Sequence, residues 1–105
     1  MEIKKNVFFD DEEEQLYLHV TARLEDIDEE FCDVLKYFVS KEGFEFGACR
    51  HIEKNEVLNT KDITIEKNFA IDTIEEAQNA YAWYKQKINE LIYQAKEFLS
   101  QLEEL

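Results

Sequence analysis

The chain has 105 residues and carries 25 acidic against 12 basic side chains, a net charge of −13. That length predicts one domain, able to bury a core without metal or disulfide support, and a hydrophobic content of 45% with 13% aromatics is that of a folded globule. So negative a field repels nucleic acid and anionic lipid and attracts basic proteins, which sets direct DNA, RNA or membrane binding aside.

The charge is uneven. Residues 1–33 hold twelve acids and three bases, a net of −9, and the other 72 hold thirteen and nine, a net of −4. With no run of 18 apolar residues and no secretory leader in view, the sequence reads as a cytoplasmic protein, of the host cytoplasm if phage-encoded. Cys32 and Cys49 read as free thiols of a reducing compartment.

Ile3, Lys5, Val7 and Phe9 share one parity of a first strand. Leu16, Leu18, Val20, Ala22 and Leu24 alternate with Tyr17, His19, Thr21 and Arg23, the period of a half-buried second strand. Between them Asp10, Asp11, Glu12, Glu13 and Glu14 form a hairpin loop whose like charges hold it in water. "EDIDEEFCDVLKYFVSKEG" reads as a helix. Asp26 or Asp28 would cap it, Glu29 and Glu30 would favour its dipole, Phe31, Val34, Leu35 and Phe38 would form its apolar stripe, and Gly43 would follow its end.

Phe44, Phe46, Ala48 and Ile52 alternate as a third strand, with a turn at 53–56. Ile63, Ile65, Phe69 and Ile71 give a further strand, and "VLNTK" between them fits either strand or loop. Asp72 or Thr73 caps a final helix in which Ile74, Ala77, Tyr81, Tyr84, Ile88, Leu91, Ala95, Phe98, Leu102 and Leu105 recur at alternating steps of three and four. Ile92 and Leu99 widen this heptad seam. At 1.5 Å per residue the helix spans about 48 Å, against about 34 Å for a compact domain of this size. The overhang predicts that residues 73–105 are a dimerisation element, with Tyr84, Ile88, Leu91, Ile92, Ala95, Phe98, Leu99 and Leu102 at the contact between two copies.

The expected fold is therefore α+β, a single domain over 1–105. Its antiparallel sheet of four to five strands and two helices follow one another in the order ββαββα, ending in the long amphipathic helix. Chemistry is sparse. His19, His51, Cys32 and Cys49 lie on three separate elements, short of a structural zinc set, and no third group orients a Cys–His pair. "DDEEEQ" lacks the spaced oxygens and glycine of a calcium loop, and no phosphate-binding or nucleophile-elbow motif occurs. A non-enzymatic protein needing neither metal nor cofactor is expected.

Its carboxylates are the remaining feature. Asp10, Asp11, Glu12, Glu13 and Glu14 precede the second strand, while Glu25, Asp26, Asp28, Glu29 and Glu30 follow it, about 30 Å away along the strand. Such side chains can occupy a basic groove where nucleic-acid phosphates would sit. In size, acidity and mixed α/β pattern, though by no motif, the chain resembles the small phage-encoded anti-restriction and anti-CRISPR inhibitors, and is similar to toxin-immunity proteins of the barstar kind. Both resemblances imply a stoichiometric binder that blocks a nuclease or nucleic-acid-binding protein through a basic surface, in some cases as a DNA mimic. A self-associating structural or adaptor protein acting through the C-terminal helix is the alternative expectation.

Overall fold

A computed structural model describes residues 1–105. The elements are β1 (Glu2–Asp10), β2 (Gln15–Ile27), α1 (Glu29–Lys41), β3 (Glu45–Glu53), β4 (Glu56–Ile71) and α2 (Ile74–Glu103). The ββαββα order and the α+β class are those the sequence predicts. The strands form one antiparallel sheet in the order β1-β2-β4-β3, with α1 as the connection that carries the chain past β2 to the far edge.

Both helices lie on one face of the sheet. Leu18, Val20 and Ala22 of β2, together with Ile63, Ile65 and Ile71 of β4, point into that layer. They meet Cys32, Leu35 and Val39 of α1 and Tyr84, Ile88, Leu91 and Ala95 of α2. The period of two in the strands and the three–four spacing in the helices therefore converge on a single core. Tyr84 lies inside it, where its hydroxyl donates to the Ile65 carbonyl and burial pushes that hydroxyl well above its ordinary pKa. The opposite face of the sheet carries no helix and is polar apart from its Phe8–Tyr17 end.

Several expected boundaries move. The helix predicted from Glu25 begins only at Glu29, because residues 25–27 belong to β2. Asp26 takes a left-handed φ of 57° at a bulge, after which Ile27 pairs with Lys61, so these backbone groups are committed to the sheet. Asp28 holds the N-cap position but its side chain makes no capping bond. Gly43 follows α1 with φ 78°, as a helix C-terminus requires. The segment "VLNTK", which fits strand or loop by sequence, is strand, so β4 runs unbroken for 16 residues and the strands number four. Lys54 and Asn55, both at positive φ, close the β3–β4 hairpin in two residues.

The last helix is as long as the sequence predicts, and the molecule measures 48 × 35 × 21 Å. Thr73 caps it, its Oγ1 accepting from the Glu76 N–H at 3.1 Å. Its seam is not free, however. Tyr84, Ile88, Leu91 and Ala95, expected between two copies, are enclosed by the chain's own sheet and α1. The reason is that α1 lies alongside the second half of α2, with Phe38 edge-on to Phe98 at 6.1 Å. Ile92 and Leu99 are half-buried, whereas Phe98, Leu102 and Leu105 stay open to solvent. Trp83 stacks on Phe44 and meets Phe69 edge-on while keeping part of its surface exposed, and Tyr93 stands in solvent.

Candidate partner-binding site

The loop joining β1 to β2 is a built turn. Asp10 Oδ1 accepts from the backbone N–H of Glu12 at 2.9 Å and of Glu13 at 3.1 Å, so one carboxylate orders the loop that carries the other four. Glu14 closes it at φ 53°. The Tyr17 hydroxyl donates to the Glu13 carboxylate, and Tyr17 stacks on Phe8 at 5.4 Å across the β1–β2 pair. That bond, with partial burial and the negative charge nearby, pushes the Tyr17 hydroxyl above its ordinary pKa. None of the five carboxylates Asp10, Asp11, Glu12, Glu13 and Glu14 is ion-paired.

Strand pairing adds to this end of the molecule. Leu16 faces Ile71 across β2 and β4, and Gln15 Nε2 donates to the Ile71 carbonyl at 3.1 Å. The hairpin is thereby tied to the start of α2, which brings Asp72, Glu75 and Glu76 to the same end without a cation paired to any of them. Eight carboxylates thus gather where the sequence suggested five.

The same end exposes apolar surface. Phe9 faces Leu16 across β1 and β2, and Leu16 leads through Ile71 to Ile74 in the first turn of α2. Val7, Phe9 and Ile74 are 53%, 56% and 77% exposed, and Leu16 is open as well. The parity of β1 suggested buried positions, but α2 packs over β2 and β4 and stops short of β1. A groove of about 270 Å³ remains between β1 and α2, lined by Lys5, Val7, Leu18, Ile74, Ala77 and Tyr81 among others. Periodicity alone carries no signal for these exposed side chains, since it cannot show which strand lies at the edge.

Glu25, Asp26, Asp28, Glu29 and Glu30 lie at the other end of β2 and do different work. Glu25 pairs with Arg23 at 3.3 Å and Glu29 with Lys61 at 3.5 Å. Asp26 accepts from Thr60 Oγ1 at 2.5 Å, and its N–H donates to Asp62 Oδ1 at 3.0 Å. Only Asp28 and Glu30 have no such partner. The first cluster is an open field and the second is largely local structure.

The bare face of the sheet holds a polar network. His51 Nδ1 lies 2.6 Å from Asp62 Oδ1, and Arg23 reaches Asp62 Oδ2 at 3.5 Å. Burial alone would raise the Asp62 carboxyl, but the Asp26 N–H, His51 and Arg23 outweigh it and hold that carboxyl below its usual value. His19 bonds Asn68 at 2.6 Å and Thr21 at 3.0 Å. Cys32 sits in the core, where burial pushes its thiol up, and Cys49 lies exposed opposite Asp62. No group of three or more His, Cys, Asp or Glu is placed to hold a metal. No helix is long and apolar enough to cross a membrane.

Comparison of the chain with protein-family models, with curated proteins and with solved structures finds no match.

Proposed function

We propose that the protein is a non-enzymatic binder of a basic protein surface, acting as a stoichiometric inhibitor of a nuclease or nucleic-acid-binding protein. One observation carries the reading: an ordered hairpin tip of unpaired carboxylates borders exposed Phe9, Leu16 and Ile74. Apolar anchors beside a charged rim are the anatomy of a protein interface, and the unneutralised field speeds encounter with a cationic partner. Asp11, Glu12 and Glu13 are the contact residues of first rank. Asp72, Glu75 and Glu76 join them, and Asp10 holds the turn.

Asp11→Lys, Glu12→Lys and Glu13→Lys together move the net charge from −13 to −7, since each reversal changes it by two. Tagged wild-type protein should retain a basic partner from bacterial lysate at physiological salt and release it near 1 M, where screening shortens to about 3 Å. The triple variant should fold and retain nothing. Equal retention by the variant would sink the proposal.

The adaptor reading has one observation in its favour, the open Phe98 and Leu102 on α2 and Leu105 just past its end, beside exposed Tyr37 on α1. Under it, Phe98→Glu with Leu102→Glu abolishes retention, and the charge reversals leave it intact.

A further inference from the structure

We propose that β1 is a self-association edge, which joins two copies antiparallel about a two-fold axis at Val7 into one eight-stranded sheet. β1 pairs only with β2, so every second residue along it directs a backbone N–H and C=O into solvent. Natural edges are commonly blunted by a bulge, a proline or charged side chains, and the charges of β1, Lys4 and Lys5 among them, leave its Val7–Phe9 stretch uncharged. β1 has neither bulge nor proline: its nine residues pair with β2 in unbroken register, and the chain contains no proline. Its outer half carries Val7, Phe8 and Phe9, all open to solvent.

Among the registers that keep parity, one pairs the most of the strand's outer half with a charge match inside β1. With Val7 on the axis, Lys4 falls opposite Asp10 twice, Lys5 opposite Phe9 and Asn6 opposite Phe8. A register centred on Asn6 instead sets Glu2 against Asp10, a like-charge pair that destabilises a sheet. Centring on Lys4 or Lys5 aligns no cation with an anion and brings no two of Val7, Phe8 and Phe9 together, and centring on Phe8 pairs only residues 6–10 of the strand and sets Asn6 opposite Asp10. The Val7 register also keeps parity, so both helical layers fall on one side of the joined sheet.

Space permits it. The two β2 strands would stand three strand spacings apart, about 14 Å, while packed helices need about 10 Å or less between axes. Each groove between β1 and α2 then opens toward the second copy and Val7 packs on its mate, while Phe9, Leu16 and Ile74 at each hairpin end are left for another partner. A second copy fits this edge better than an unrelated strand because it supplies, in register, a cation for Asp10, which has none, and a second anion for Lys4 beside Glu2 at 3.1 Å.

Sedimentation at about 100 µM protein and about 0.15 M salt should give twice the 12.6 kDa chain mass. In a Cys49→Ser background, Val7→Cys should form an intermolecular disulfide on oxidation. Ile3→Cys should not, since the two copies of residue 3 lie about 27 Å apart in this register. Lys4→Glu should weaken the dimer about tenfold, losing two ion pairs and creating two repulsions. A monomer at that concentration overturns the proposal. So does a dimer that Val7→Cys cannot trap and Lys4→Glu does not weaken, which would place the contact on α1 and α2. Val7 is half exposed, so its replacement leaves the monomer folded, and circular dichroism checks this.

Discussion

Leu91 separates the two uses of the heptad seam. At 2% exposure it lies in the layer between α2 and the sheet. Leu91→Ala removes a fully buried isobutyl group and leaves a cavity, a change that costs about 3–5 kcal/mol where neighbours cannot collapse. A domain of this length holds about 5–15 kcal/mol in all, so the variant folds with much of its margin gone. With a urea slope of about 1.5 kcal/mol per molar, the midpoint should fall by about 2–3 M. Phe98→Ala, at 49% exposure, should cost about half as much. Urea titration followed by far-ultraviolet circular dichroism reads both, and sedimentation of the folded variants reads association. A Leu91→Ala midpoint within about 0.5 M of wild type, together with loss of self-association, would mean that Leu91 stands between copies. The enclosure of the seam within one chain would then be wrong.

Tyr84→Phe removes the donor to the buried Ile65 carbonyl and should cost about 1–3 kcal/mol with the far-ultraviolet spectrum unchanged; a neutral result would show that this bond contributes nothing. Asp62 has a lowered pKa when folded, so its contribution is fully present above its unfolded value of about 4 and is lost as pH falls through the folded value. Asp62→Asn should therefore flatten the fall in stability as pH drops below about 4, and an unchanged profile would refute the network around His51 and Arg23. Thr73→Ala should cost about 1 kcal/mol by freeing the Glu76 N–H, measured by thermal unfolding, while Thr73→Ser should restore it.

Much of the fold is local information. Leu18, Val20 and Ala22 alternate because a strand shows opposite faces at successive residues, and Tyr84, Ile88, Leu91 and Ala95 recur because a helix turns every 3.6 residues. Element type, order and the ends at Gly43 and Thr73 follow from those periods and from capping chemistry. Acids before an apolar run suit a helix start as well as a bulged strand end, so Glu25–Ile27 reads as helix in sequence although it ends β2. Pairing of Ile27 with Lys61, 34 residues away, decided between them.

The sequence by itself determined the acidic excess, its concentration in the first third, and the hairpin that carries Asp10 to Glu14. It also determined that the last helix has one apolar stripe. What covers that stripe was a tertiary matter, because a period describes a face and is silent about its partner. The sheet and α1 took most of it, leaving Phe98, Leu102 and Leu105 open. The strand order β1-β2-β4-β3 likewise made β1 an edge, exposed Val7 and Phe9, and drew Asp72, Glu75 and Glu76 to the hairpin tip. Pairing between strands joins residues more than fifty positions apart, as Leu16 with Ile71, and no local rule reaches that far.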